Sequence, residues 1–195
     1  MKGSIQLAKE LIEKIYTTDT LKRISDTLEK LSQNKGFKAH TNDIINDDSL
    51  TDNQKKNQLL YIIKSVEIPT LYDFFSDQLA DYSFWIFSSG QIDYFDKFVQ
   101  AFQKATKDIG VIYLTTAVEI STLDLKAISN NLGKSFGYKV VINHDINTGI
   151  LGGAQIRIEN LIFDYSLRSK FRHFQKEWLK SISETSKSIG FHDDL

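Results

Sequence analysis

The sequence contains no cysteine, so disulfides, zinc ribbons, thiolate catalysis and iron–sulfur clusters are excluded. It contains one proline, Pro69, which leaves long stretches free to be helical. It has almost no net charge: 24 basic against 25 acidic side chains leave −1. A dedicated nucleic-acid binder would show a clear basic excess. No apolar run approaches the ~20 residues that a membrane-spanning helix requires. Residues 1–16 mix Lys2, Lys9, Glu10 and Glu13 into a helical pattern without the apolar core of a signal peptide. Those acids also speak against an organelle transit peptide, so the protein is expected to stay where it is made.

Sequence motifs for chemistry are equally scarce. His40, His144, His173 and His192 show no metal-ligand spacing and read as surface or internally satisfied residues. There is no Walker A sequence, nucleophile elbow or dinucleotide fingerprint. Gly149-Ile150-Leu151-Gly152-Gly153 is glycine-rich but precedes a strand, so it lacks the helix N-terminus that binds phosphate. A strained turn or a close backbone approach is the better reading. Asp145 and Asp164 would suit an acid/base pair, yet nothing in the sequence brings them together. No catalytic, cofactor or metal site is expected.

What is present is ordinary globular material: 195 residues, 41% hydrophobic and 25% charged. A chain this long buries roughly 70% of its unfolded surface without staples. Ile5, Ala8, Leu11, Ile12 and Ile15 recur at helical spacing and predict an opening amphipathic helix. Asp19 or Thr20 is the expected cap of a second, with Leu21, Ile24, Leu28 and Leu31 on one face. The polar stretch 32–48 reads as a loop around one short helix. Thr51 or Asp52 starts a helix through Leu59, Leu60 and Ile63. Pro69 suits the first turn of the next, which carries Leu71, Phe74, Phe75, Leu79, Tyr82 and Ile86 as far as Ser88-Ser89-Gly90. A sixth places Ile92, Phe95, Phe98, Val99, Phe102 and Ile109 along one stripe, an aromatic face that reads as core.

At Gly110 the pattern changes. Residues 111–118 are β-branched and aromatic, as in a buried strand. Ser121 with Asp124 resembles a capping box before a helix through Leu125, Ile128 and Leu132, stopped by Gly133 or Gly137. Residues 138–142, 154–158 and 161–163 read as three more strands, the last two joined by Glu159-Asn160. A final helix covers about 166–188. The fold class is therefore α+β: a bundle of five or six helices over 1–108, then a small α/β domain over 109–195. On the last helix Leu167, Phe171, Phe174, Trp178 and Ile182 form an apolar face. Arg168, Arg172, Lys176 and Lys180 repeat at four-residue intervals beside it. This basic ridge is either a solvated flank or a docking surface for an acidic partner helix.

The run Asn147-Thr148-Gly149-Ile150-Leu151-Gly152-Gly153-Ala154-Gln155-Ile156-Arg157-Ile158, followed by Ile162-Phe163-Asp164-Tyr165-Ser166-Leu167-Arg168, resembles the signature of the F-type ATP synthase delta subunit, known in mitochondria as the oligomycin-sensitivity-conferring protein. Its glycine pair falls on Gly152 and Gly153, its strand arginine on Arg157, and its Asp-x-Ser on Asp164 and Ser166, where a side chain is placed to cap the final helix. Thr116-Ala117 before Ser121 resembles the family's strand-to-helix junction. Three positions depart from the family pattern: Asn147 for Asp, Glu159 for Gly, and Tyr165 for Gly. Asn160 tolerates positive φ and is expected to carry the hairpin. Arg157 is expected to pair with Asp164 across it.

The resemblance implies a non-catalytic peripheral-stalk (stator) subunit of a proton-translocating ATP synthase, present in one copy and without a cofactor. The helical domain would bind N-terminal segments of the alpha subunits of the catalytic head, with the first and fifth helices as walls. The C-terminal domain would engage the C-terminal region of the b-subunit stalk, through Arg172, Lys176 and Lys180 if the ridge docks there. Rotation would thereby be coupled to ATP synthesis and proton transport. The expected location is the cytoplasmic side of a bacterial plasma membrane, with attachment only through partners and no nucleic acid involved. The alternatives are a free-standing helical scaffold protein and a phosphate-handling enzyme using Arg157, Arg168 and the glycine pair.

Overall fold

The computed structural model describes residues 3–81, 83–88 and 93–188. Six helices come first: α1 (Ser4–Glu13), α2 (Thr18–Gln33), α3 (Lys35–Asn46), α4 (Asp52–Lys64), α5 (Pro69–Ala80) and α6 (Tyr94–Ala105). Then follow β1 (Gly110–Thr116), α7 (Thr122–Phe136), β2 (Val140–Ile146), β3 (Ala154–Ile158), β4 (Leu161–Asp164) and α8 (Leu167–Ser188). The architecture is α+β, as expected. The chain divides into two compact units, Met1–Val111 with Leu125–Val141, and Ile112–Asp124 with Ile142–Leu195.

The first unit is organised by the predicted stripes. Leu7, Ala8, Leu11, Ile12 and Ile15 are buried, as are Leu71, Phe74, Phe75 and Leu79 of α5 and Phe95, Phe98, Val99 and Phe102 of α6. Ile5 departs from its expected place: it lies in the first turn, 69% exposed, and Leu7 fills the far edge of the stripe instead. α2 is capped by Thr17, whose hydroxyl oxygen accepts from the Thr20 amide, rather than by Asp19 or Thr20. α4 has the full capping box of Thr51 with Gln54. α5 ends at Ala80, and Ile86 sits on a separate 3-10 turn, Phe84–Phe87. α6 likewise stops at Ala105, so Ile109 packs against the core from beyond the helix. Tyr82, Ser89, Gly90 and Ile92 lie outside the described residues.

The largest departure is α3. The stretch read mostly as loop is a 12-residue helix whose Phe37, Thr41 and Ile44 are buried. Sparse apolar residues suffice because the Phe37 ring packs against Phe87 and Phe95, at 6.4 and 5.2 Å between centroids, and a polar network adds a tie to the start of α6. Lys38 Nζ lies 2.8 Å from Asp93 and 2.7 Å from Asp96, and the Ser32 hydroxyl donates to Asp96 at 2.6 Å. Burial pushes the Asp96 carboxyl up, but hydrogen bonds from Lys38 and Ser32 and the Lys38 charge outweigh it and leave it below the usual range. Burial likewise opposes the Lys38 ammonium, and its two carboxylate partners more than reverse this.

The signs define a window. Asp96, lowered in the fold, contributes stability that is present above the unfolded carboxylate pKa of about 3.9 and is lost as pH falls through the folded value. Lys38, raised in the fold, contributes stability that is present below about 10.4 and is lost as pH rises through its folded value. Lys38→Met should therefore cost about 1–2 kcal/mol at neutral pH, with the partial exposure of the network held against a larger figure. Urea unfolding at pH 7 and at about pH 3 checks this, the difference between variant and parent narrowing in acid.

α7 and the start of β2 belong to the same unit. The Ser129 hydroxyl donates to the Val140 carbonyl at 2.6 Å. Gly133 continues the helix rather than stopping it, and a Cβ there would stand 3.1 Å from the Tyr138 carbonyl oxygen. The stop is Gly137, at φ +77°. Lys139 Nζ donates to the Glu13 carbonyl at 3.0 Å, at the end of α1, and lies 4.6 Å from the Tyr16 ring centroid. Lys126 faces the same ring at 5.2 Å. Burial pushes the Lys139 amine below its ordinary pKa against the pull of Glu13.

The four strands form one sheet in the order β2-β1-β3-β4. β1 pairs antiparallel with β3, and β3 with β4. β2 runs to Ile146, four residues past the strand expected from sequence. The β3–β4 turn places positive φ on Glu159 (+50°), not on Asn160. A glutamate there carries the left-handed strain that glycine would avoid, of order 1–2 kcal/mol.

Candidate functional site

Five of the signature residues, Gly152, Gly153, Asp164, Ser166 and Arg168, converge on the turn that seats α8. Gly152 and Gly153 have φ of +125° and +76°. A Cβ on Gly153 would run into the Tyr165 carbonyl oxygen, and one on Gly152 would stand 2.8 Å from Leu167 Cδ1. The two glycines therefore allow this turn to lie directly against the start of α8. Its hydrogen bonds close the contact: the Leu167 amide donates to the Gly152 carbonyl at 2.9 Å, and Tyr165 N donates to the Ala154 carbonyl at 2.9 Å. Arg168 Nη1 lies 3.5 Å from the Gly149 carbonyl.

Ser166 is the cap of α8. It is fully buried, and its hydroxyl oxygen accepts from the Ser169 amide at 3.1 Å. Asp164 holds the cap in place, its Oδ1 accepting from the Ser166 amide at 3.0 Å. Hydrogen bonds from the Ser166 side chain and backbone, with smaller help from Gln155 and Arg172, hold this carboxyl below the usual range. Arg157 is not its partner. The register sets Asp164 opposite Gln155 and Arg157 opposite Ile162. The Arg157 guanidinium instead stacks over Tyr113, 4.1 Å from the ring centroid. These two line a polar hollow of about 400 Å³ on the sheet, with Thr115, Asn143, Asp145, Gln155 and Ile162.

The strand-to-helix junction is equally tied. The Thr116 hydroxyl donates to the Val118 carbonyl at 2.6 Å, so His144 Nε2, 2.8 Å away, must donate to Thr116 Oγ1. The Asn147 amide donates to the Thr116 carbonyl at 2.7 Å, and its side-chain oxygen accepts from Gly149 N at 2.9 Å. Asn147 thus does with an amide what an aspartate at that position would do.

Beyond its first turn, and as far as Ile182, α8 is turned to solvent. Every side chain from Lys170 to Ile182 is exposed. Phe171 and Phe174 are each 65% exposed, Trp178 58% and Ile182 48%. Most helical stability in proteins comes from packing an amphipathic face, so the aromatic stripe calls for a partner. Leu161, Ile162 and Phe163 of β4 and Tyr165 just after it are exposed as well. The sequence shows these as strand residues and gives no sign of their exposure. At about 100° per residue, Leu167, Phe171, Phe174, Trp178 and Ile182 fall within an arc of about 80°. Arg172, Lys176 and Lys180 centre about 160° from it. The ridge therefore lies on the far side of α8 from the aromatic stripe, not beside it.

Among the described residues no group of three or more His, Asp or Glu is placed to hold a metal, and no helix is long and apolar enough to cross a membrane. Comparison with known proteins found that the family model described as "ATP synthase delta (OSCP) subunit" matches residues 7–177. The ATP synthase subunit delta of Lachnoclostridium phytofermentans is 34% identical over 110 residues, 54% of this chain and 60% of the relative's length. That of Pelobacter propionicus is 22% identical over 137 residues, 69% of this chain and 72% of the relative. Among solved structures, a chain of the Toxoplasma gondii mitochondrial ATP synthase hexamer aligns with 92% of this chain and 98% of its own length, at 10% identity and a TM-score of 0.38.

Proposed function

The chain belongs to the ATP synthase delta (OSCP) subunit family, and from that premise we propose that it is a non-catalytic stator subunit, joining the catalytic head of a rotary ATP synthase to its peripheral stalk. The observation that carries this reading is α8, a helix fixed at its first turn by Gly152, Gly153 and Ser166 and otherwise exposing a continuous aromatic stripe. Such a surface works by being covered. Its function is interface strength and stiffness, with no bond made or broken.

In this reading the α/β domain, residues 109–195, takes the C-terminal region of the b subunit along Phe171, Phe174, Trp178 and Ile182. The helical domain, residues 1–108, takes N-terminal segments of the alpha subunits between α1 and α5. These two helices meet along a polar seam. Lys14 pairs with Asp77 at 2.7 Å, Gln78 donates to Glu10 at 3.3 Å, and Ile5 is exposed near one end. The recognition mode is an amphipathic helix laid against an apolar groove. One copy per complex, held at a bacterial plasma membrane on the cytoplasmic side through its partners, completes the proposal.

A pull-down of the tagged protein from its own cells' solubilised membranes, read by mass spectrometry, tests this. Alpha, beta and b subunits are expected in stoichiometric recovery. A clean recovery of the protein without them overturns the stator reading in favour of a free-standing scaffold.

A further inference from the structure

The far side of α8 carries its own chemistry. From Leu167 to Ile182 the helix has five cations, Arg168, Lys170, Arg172, Lys176 and Lys180, and a single carboxylate, Glu177. Four of the cations repeat at i, i+4, the spacing that aligns side chains along one helix edge. Ser169, Arg172, His173 and Lys176 line a shallow hollow of about 110 Å³. At about 100° per residue, this hollow centres about 170° from the middle of the aromatic stripe. A single helix lying on the stripe therefore cannot reach it.

We propose that this ridge is a second docking surface, separate from the aromatic stripe, and that its occupant is an acidic helix of the peripheral stalk. One carboxylate of that helix seats in the hollow between Arg172 and Lys176. Its neighbour one turn along meets Arg168. The identity of the occupant rests on the stator reading; the chemistry of the surface does not. Charge complementarity selects the partner: an apolar helix face would gain nothing from a ridge of ammonium and guanidinium groups, whereas carboxylates at the same four-residue step meet each cation in turn. α8 is then held from two opposite sides, which accounts for a helix whose side chains from Lys170 to Ile182 are all exposed.

Two measurements decide the matter. In the first, full-length protein is titrated with helical peptides of about 20 residues, equal in composition, one with Glu at every fourth position and one with the acids scattered around the helix. The aligned peptide is expected to bind about tenfold tighter than the scattered one, and to weaken about tenfold between about 0.05 and 0.3 M salt. Arg172→Glu with Lys176→Glu should abolish that preference, and a peptide bearing Lys in place of the aligned Glu should restore binding to this variant. Trp178→Ala should leave it within about twofold. Equal binding of the two acidic peptides, or equal loss in Trp178→Ala, overturns the proposal, as does binding only to anionic vesicles. In the second, the double charge reversal is carried into the pull-down. If the parent recovers synthase subunits and the variant retains b through a salt wash as well as the parent does, the ridge proposal fails alone. If the parent recovers none, the stator reading fails, and the peptide titration still judges the ridge.

Discussion

Gly153→Ala is expected to unseat α8 and to destabilise the unit that carries it by about 3–4 kcal/mol. Two costs combine. The backbone at Gly153 sits at φ +76°, where a Cβ costs about 1–2 kcal/mol on local sterics alone. That Cβ would also collide with the Tyr165 carbonyl oxygen, which is main chain and cannot swing aside as a side-chain end would. Its own residue is pinned, because Tyr165 N donates to Ala154 and the next turn hangs on Leu167 N to Gly152. Gly137 supplies the control. It has almost the same φ, +77°, but nothing lies within 4 Å of where its Cβ would be. Gly137→Ala should therefore show only the conformational part, about 1 kcal/mol. Hydrogen exchange reads the difference: Gly153→Ala should lose protection at Leu167, Ser169 and Lys170 while α6 amides keep theirs. Equal effects from the two alanines would show that the close approach to Tyr165 is not what demands the glycine.

The second large effect is expected at Phe98. Phe98→Ala should cost about 3–5 kcal/mol, measured as a fall in the urea midpoint. Its side chain is fully buried, and its ring lies 5.7 Å from Phe74 in a stacked pair, 6.1 Å from Phe75 and 6.3 Å from Phe95. Truncation removes about three aromatic contacts and leaves a cavity among side chains that are themselves packed on all sides. Phe174→Ala makes the same chemical change on α8, where the ring is 65% exposed. It should move stability by no more than about 0.5 kcal/mol, while weakening recovery of the stalk. A large stability loss at Phe174 would mean that the stripe is covered by the chain itself.

These two phenylalanines show how far the sequence could be read. Both sit on apolar stripes at three- and four-residue steps, and both stripes were legible. Nothing in either stripe says which one is core and which one waits for a partner. Periodicity records that a face is apolar; what covers it depends on where the helix is sent. Elements fared in the same way. Stripes rich in Leu, Ile and Phe gave α1, α2 and α4–α6, while α3 was largely hidden because its few apolar residues are spread through a polar stretch and part of its hold is Lys38 on Asp93 and Asp96, which no hydrophobic pattern reveals.

At the candidate site, the glycine pair, Asp164 and Ser166 were readable as a turn and a helix cap, because φ above zero and a side chain accepting an amide each demand particular residues. Arg157 was not. Its expected partner was chosen from the hairpin alone, whereas β1 supplies Tyr113 from more than forty residues earlier in the chain. Lys139 gave no signal for the same reason, since the carbonyl it caps belongs to Glu13.

The sequence by itself thus determined the α+β class, the apolar stripes, the glycine pair with the cap of the last helix, and the family, all of which rest on local sterics and short-range spacing. Only the tertiary structure decided that Arg157 stacks on Tyr113, that Glu159 takes the left-handed φ, that α8 leaves its aromatic face uncovered, and that its cations point the other way. Those facts depend on which distant segments meet, and burial, unlike periodicity, is a property of neighbours.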